Sequence, residues 1–265
     1  MKNFYAGKVI VITGASSGIG YDLAEFLAPF GVRLALVARR AEKLEELAAK
    51  CRAAGAEALV LPGDVTDKEA MLGVRDKVLE AWGRADIVVG NAGVGGLNPA
   101  AKFDLDIHRR IVEINLIGLA NTLVPFIPQM IEQKSGLLVG ISSLAGFRGL
   151  PKAASYSSTK AAQKVFCESL RVDLKSHGIA VSSIHPGFVT TRMTEHDDFR
   201  MPFMISVRKS SILIAKAMMK NKAVYLYPWQ MRWLTYLNRL LPVWLYDRLV
   251  PAVSGQKEDV EAQML

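Results

Sequence analysis

The chain is poor in the residues that build cross-links and metal cages. Its 265 residues include two cysteines, Cys51 and Cys167, and four scattered histidines. Two cysteines without metal-ligand spacing supply neither a disulfide framework nor a zinc site, so no metal is expected and a reducing compartment fits. An uninterrupted run of about 20 apolar residues is also missing, so no membrane-spanning helix is expected. The opening "MKNFYAGKVIVITGASSGIG" lacks the long apolar stretch and small-residue cleavage site of a secretory signal, and a cytoplasmic location is predicted. No repeat of solenoid period occurs. Acids are scarce in one place: residues 201–250 carry eight basic side chains against Asp247 alone, which is +7 of the net +8. No groove-reading element or RNA-stacking platform accompanies that charge, so nucleic acid is not an expected partner.

What is present alternates. Short β-branched runs are separated by longer stretches with helical spacing of apolar residues. Residues 8–14, 33–39, 57–65, 85–93, 136–143, 179–187 and 222–228 read as strands. Between them, "GIGYDLAEFLAPFG" predicts a helix ending near Pro29 and Gly31, and Leu44, Leu47, Ala48 and Cys51 mark a second. Helices follow over 67–82 and around 105–132, and another carries Tyr156 and ends at His177-Gly178 with the glycine as C-cap. Strands buried on both faces and separated by helices pair in parallel through right-handed crossovers. The expected fold class is α/β: a doubly wound, Rossmann-type parallel sheet with a C-terminal amphipathic helical extension. Residues 1–228 should form one dinucleotide-binding catalytic domain and 229–265 the extension.

"TGASSGIG" (13–20) lies between the first strand and the first helix, where a glycine-rich phosphate loop belongs. Gly14 permits the tight turn, Gly18 lets backbone approach a pyrophosphate, and Gly20 allows close helix–strand packing. Ser16, Ser17 and Ile19 complete the turn, whose helix start offers unpaired N–H groups to phosphate. NAD-specific sites place an acid at the end of the second strand for the ribose 2′-hydroxyl. Here that position holds Arg39 and Arg40, with no acid before Glu42. A guanidinium pairs bidentately with a 2′-phosphate that a carboxylate would repel, so NADP(H) is the expected cofactor. Two exposed arginines at a helix start are the competing reading.

In "ASYSSTKAA" (153–161) two large polar side chains stand among small ones. Tyr156 and Lys160 share a helix face one turn apart. A phenol of pKa about 10 exchanges protons poorly at neutral pH. A fixed ammonium favours the phenolate and brings that value toward the working range. Alone, so common a pair reads first as a solvated helix face.

Seven motifs in order remove that ambiguity: "TGASSGIG", "GDV" (63–65), "GNAG" (90–93), "EIN" (113–115), "SS" (142–143), "YSSTK" (156–160) and "HPGFVTT" (185–191). Over roughly 6–195 the chain resembles the short-chain dehydrogenase/reductase family. The resemblance implies Tyr156 as catalytic acid/base and Lys160 as its pKa-lowering partner, which also holds the nicotinamide ribose. It implies Ser143 as the serine that polarises or positions the substrate oxygen, and Asn115 as the asparagine that fixes a water on the proton path to the lysine. Asp64 and Val65 would contact adenine, Asn91, Ala92 and Gly93 would line the cofactor cleft, and Pro186, Gly187, Val189 and Thr191 would hold the nicotinamide end. Gly90 departs from the family's usual Asn, with the expected loss of a strand-end hydrogen bond. Ser142, His185 and Cys167 read as structural.

The extension contributes three of the four tryptophans, in "YLYPWQMRWLTYLNRLLPVWLYDRLVP" (225–251). A helix over 230–241 would gather Trp233, Leu234, Tyr236, Leu237, Leu240 and Leu241 on one arc and Arg232, Thr235, Asn238 and Arg239 on the other. A second short amphipathic piece follows Pro242. Packing on the domain or a sister subunit, peripheral membrane contact through 229–250, and a wall for a large apolar substrate are the three readings. Residues 188–206 read as a substrate lid, with Met193, Phe199, Met201, Phe203 and Met204 as an adaptable lining. The expected activity is an NADP(H)-dependent interconversion of a carbonyl and a secondary alcohol on a hydrophobic, lipid- or steroid-like molecule. A homodimer through the long central helices is expected. The alternative is an NADP(H)-binding regulatory or membrane-surface scaffold protein with little turnover.

Overall fold

The β-branched runs become strands because they can be buried on both faces. Val9–Thr13 (β1) is buried at every position. A computed structural model describes residues 1–191 and 201–253. The other strands are Arg33–Ala38 (β2), Glu57–Pro62 (β3), Ile87–Gly90 (β4), Gly136–Ile141 (β5), Ile179–Pro186 (β6) and Val224–Tyr227 (β7). They form one sheet in the order β3-β2-β1-β4-β5-β6-β7, parallel throughout. The expected strands 57–65 and 85–93 are shorter at their C-terminal ends, because Asp64, Val65 and Asn91–Gly93 leave the ladder to form the loops above the sheet.

The helices are Lys2–Tyr5 (α1), Gly18–Leu27 (α2), Ala41–Ala53 (α3), Lys68–Trp82 (α4), Leu105–Val112 (α5), Gly118–Leu123 (α6), Ile127–Gln133 (α7), Ala154–Leu174 (α8), Val207–Met219 (α9), Trp229–Leu240 (α10) and Val243–Val253 (α11). The period-2 alternation of strands divides the core into two layers. Ile10 and Ile12 pack with Leu23, Leu47 and Met218 of α2, α3 and α9. Val9 and Val11 pack with Val74, Leu123 and Cys167 of α4, α6 and α8. Local signals set the ends: the Asp67 carboxylate accepts from Ala70 N (3.0 Å) at the start of α4, and Gly178 (φ 75°) ends the turn after α8.

The departure at Gly90 has a packing cause. A Cβ there would lie 2.3 Å from Leu119 Cδ1. The space an asparagine side chain would need is filled by the helix packed over β4, so close helix–sheet contact replaces the strand-end hydrogen bond.

One helix meets the length and composition of a membrane span. The 29-residue helical stretch Leu105–Gln133 is long and apolar enough by composition to cross a bilayer, with mean hydropathy 1.5 over its most apolar 18 residues. Glu113, Asn115 and Asn121 interrupt it, so it is not an uninterrupted apolar run. Its inner side chains Leu119, Leu123, Phe126 and Met130 are buried in the core, which is how a core helix meets the same criterion.

Candidate active site

The loops above the C-terminal strand ends meet at the β1/β4 switch point, where doubly wound sheets open a crevice. Gly14 follows β1 with φ 68°, and a Cβ there would lie 2.8 Å from Ala92 Cα. Gly20 sits so near Asn91 that a Cβ would meet its Nδ2 at 2.5 Å. Asn91 Nδ2 donates to the Thr13 carbonyl (2.9 Å), tying the glycine turn to β4. Gly18 (φ 59°) faces Thr191, whose Cγ2 would be 3.6 Å from a Cβ there. The turn, Asn91–Gly93 and the segment after β6 therefore converge. Val189 is buried, and Gly187 N donates to Tyr227 O (2.7 Å), with Pro186 closing β6. Ile19 packs on the core, which leaves the backbone at the start of α2 as its contribution to a phosphate.

A cleft of about 430 Å³ opens beside this turn, lined by Ser16, Ser17, Gly18, Arg40, Lys43 and Thr191 among others. Arg40 Nη2 donates to Ser16 Oγ (2.9 Å) and to its carbonyl (3.2 Å), so a guanidinium lies across the turn on neutral partners. Arg39 leans the other way, with Nη1 3.7 Å from Asp64 Oδ2. Asp64 also accepts from Thr66 N and Oγ1 (3.0 and 2.9 Å). Val65 is buried; its side chain packs where a Cβ on Gly118 would stand, 2.6 Å away.

On the opposite side of the crevice, α8 brings Tyr156 and Lys160 to the end of β5. The small residues around them serve close approach: a Cβ on Gly146 would lie 2.6 Å from the Lys160 carbonyl carbon, and Ser142 Oγ donates to that carbonyl's oxygen (2.8 Å). The Ser143 side chain lies beside the Tyr156 hydroxyl. Burial pushes the phenol's pKa up, and Ser143 opposes that in part. Lys160 is buried, and burial lowers its pKa to about 7. Its Nζ, 5.6 Å from the Tyr156 ring centre, donates to Ile141 O (3.2 Å) and to Gln163 Oε1 (3.0 Å).

Asn115 reaches the same place from a π-helical turn, Glu113–Ile117, between α5 and α6. Such wide turns recur at functional sites. Its Oδ1 accepts from Val94 N (2.8 Å), and its Nδ2 donates to Val94 O (3.0 Å) and Thr159 Oγ1 (3.1 Å). Its backbone carbonyl accepts from Gln163 Nε2 (2.5 Å). Gln163 thus joins Asn115 to Lys160 directly, where the resemblance implies a water. A Cβ on Gly93 would stand 3.2 Å from Asn115 Oδ1 and 3.5 Å from Lys160 Nζ, so these groups border the crevice shared with the glycine turn.

Residues 8–200 match the family model described as short chain dehydrogenase. The chain belongs to the short-chain dehydrogenase family. An uncharacterized oxidoreductase of Myxococcus xanthus is 42% identical over 241 residues, covering 91% of this chain and 95% of that one. Human dehydrogenase/reductase SDR family member 7 is 37% identical over 193 residues, which span 71% of this chain and 57% of that protein. Among solved structures, a short-chain dehydrogenase/reductase from Burkholderia phymatum in complex with NAD superposes with a TM-score of 0.81 at 26% identity, covering 88% of this chain and 93% of that one.

As a short-chain dehydrogenase the protein is an oxidoreductase of a family that uses a nicotinamide cofactor. The close approaches at Gly14 and Gly20 fit the phosphate end of such a molecule, and the cleft beside them sets Arg40 and Lys43 among the carboxylates Asp22, Glu25 and Glu46. Sequence reasoning missed Gln163, which reads as one more polar residue on an amphipathic helix. It also missed Asn98 and His108, which hold Ser155 beside Tyr156: Asn98 Nδ2 donates to Ser155 Oγ (3.3 Å), and His108 Nδ1 lies 3.0 Å from it. In the segment expected to be a lid, Phe203 and Met204 are exposed and Met201 is half-buried; Met193 and Phe199 lie outside the described residues. Thr190 N donates to Ile205 O and Ile205 N to Phe188 O (both 3.0 Å), which closes the segment at its base.

His185 is the structural residue it was read to be, with a measurable consequence. Its Nδ1 donates to Ser143 O (3.2 Å), and its Nε2 accepts from Ser183 Oγ (2.6 Å). Burial lowers its pKa from 6.5 to about 4. Between those values the unfolded chain binds a proton that the folded one refuses, so stability falls as pH drops from 6.5 toward 4. Linkage sets the full loss at roughly 3 kcal/mol. Urea midpoints measured from neutral pH down to the acid range should show this slope and a flatter one for His185→Gln; equal slopes would assign the acid loss to other groups.

Proposed function

We propose that this short-chain dehydrogenase interconverts a carbonyl and a secondary alcohol on a hydrophobic small molecule, using NADP(H). The observation that carries the reading is the convergence at the end of β5 of Ser143, Tyr156 beside it and the buried Lys160 one turn further on, whose Nζ lies 5.6 Å from the Tyr156 ring centre. The nicotinamide, when bound, supplies or accepts the hydride. Ser143 is placed to hydrogen-bond the substrate oxygen, and Tyr156 to give it a proton in reduction and take one in oxidation. The buried Lys160, with a pKa near 7, favours the phenolate whenever it is charged.

The 2′-phosphate preference rests on Arg39 and Arg40, since the Burkholderia phymatum neighbour was solved with NAD. A charge-assisted hydrogen bond is worth about 1.5–3 kcal/mol, so NADPH should bind roughly 10- to 100-fold tighter than NADH. Arg40→Asp should abolish or reverse that order in calorimetry; equal affinities in the parent protein would remove the NADP reading. An apolar substrate is supported by exposed Phe203 and Met204 at the lid. A homodimer through the central helices is supported by exposed Ile117 and Val124 there and Val165 and Val172 on α8. The free, buried Cys51 and Cys167 suit a cytoplasmic setting.

A further inference from the structure

Amphipathic helices at the edge of a domain turn their apolar side inward. In α10 this is reversed. Thr235 and Asn238 lie on the half-buried side, with Met231. The apolar arc looks outward: Trp229 is 68% exposed, Trp233 54%, Leu240 79%, and Trp244 at the start of α11 69%. At about 100° per residue, positions 229, 233, 236, 237 and 240 form one stripe, and beyond the break at Leu241–Pro242 Trp244 is exposed as well.

The reversal is held by specific bonds. Arg148 Nη1 donates to the carbonyls of Asn238 and of Leu241 (2.9 Å to the latter). Its guanidinium carbon lies 3.8 Å from the centre of the Tyr246 ring, and the Tyr246 hydroxyl donates to Gly149 O. Arg148 and Gly149 belong to the segment between Ser143 and Tyr156. Both helices are therefore clamped beside the catalytic loop with their tryptophans facing away from it.

We infer that this face docks on an anionic lipid bilayer. Exposed Arg232 and Arg239 on α10 and Arg248 on α11 accompany the stripe, and Asp247 is the single acid of residues 201–250. Tryptophan and tyrosine beside arginine suit the headgroup level, where the rings enter the acyl boundary and the guanidiniums stay at the phosphates. A second copy of the chain is a poorer occupant. A two-fold contact would gather six arginines with Asp247 and its mate as the acids of the same stretch. The docking does not depend on the proposed activity. Its use does: with an apolar substrate, the clamp would set the catalytic loop beside the surface from which that substrate is drawn.

The test is flotation of the full-length protein with phosphatidylcholine vesicles, with and without phosphatidylglycerol. The protein should float with the anionic vesicles, and its tryptophan emission should shift to the blue. Trp233→Glu with Leu240→Glu should abolish flotation and leave NADPH affinity unchanged. Arg232→Glu with Arg239→Glu keeps the stripe, removes two positive charges and adds two negative ones; losing the arginines alone, at roughly 5-fold in partition each, should lower binding to anionic vesicles about 25-fold, and the added carboxylates should lower it further. Absence of flotation by the parent protein, or flotation that both double variants retain, would overturn the inference. So would a drop in oligomer mass without lipid in the Trp233→Glu, Leu240→Glu protein, which would mark the stripe as a subunit interface. Failure to turn over any carbonyl would sink the functional proposal and leave the flotation result standing.

Discussion

Tyr156→Phe is expected to lower NADPH-dependent turnover by roughly 10²–10⁴-fold, the span that positioned acid–base catalysis contributes. The substitution removes one oxygen and keeps the ring, so the packing of α8 against β5 should persist. What disappears is the hydroxyl beside Ser143, the group placed to exchange a proton with a substrate oxygen. NADPH affinity should change little, because the glycine turn and Arg40 lie across the crevice. The decisive measurement is single-turnover oxidation of NADPH by parent and variant at saturating substrate, beside cofactor binding followed by fluorescence. Comparable rates in both proteins would mean that the proton comes from elsewhere and that the assignment of Tyr156 is wrong.

Gln163→Leu should displace the pH–rate profile rather than merely lower it. Lys160 Nζ has two acceptors, Ile141 O and Gln163 Oε1, and burial already holds its pKa near 7. Removing an acceptor from a buried ammonium costs about 1.5–3 kcal/mol, or one to two pKa units. The charged lysine would then be lost at lower pH, the alkaline limb would move down by about that much, and the rate at neutral pH would fall roughly 5- to 50-fold. Gln163→Glu should move the limb upward, since a carboxylate favours the ammonium. A purely structural role predicts lower rates at every pH with the limb unmoved, or the same displacement from both substitutions. Gln163 is thus a positioning residue, acting through Lys160.

The sheet, its helices and the main site motifs were legible because each is written locally. Seven β-branched runs carry their own burial pattern, and Tyr156 and Lys160 share a helix face by spacing alone. The glycine turn announces itself by following a strand and opening a helix. Gly90 was legible only as an oddity, because its reason, Leu119 Cδ1 at 2.3 Å from a would-be Cβ, lies on another element. The amphipathic arcs of α10 were likewise legible, but not which of them faces the domain. The expected depression of the Tyr156 pKa by Lys160 was not found; burial raises it, and Lys160 spends its hydrogen bonds on Ile141 and Gln163.

By itself the sequence determined a doubly wound parallel sheet, the order of its motifs and hence the family, since periodicity and short-range spacing survive without coordinates. Tertiary structure alone decided that Gln163 joins Asn115 to Lys160 across 48 positions, and that Arg148 reaches 90 positions to turn the tryptophans of α10 outward. The physical reason is the same in both cases. A side chain's partner across the core is set by which surfaces pack together, and no local pattern records that.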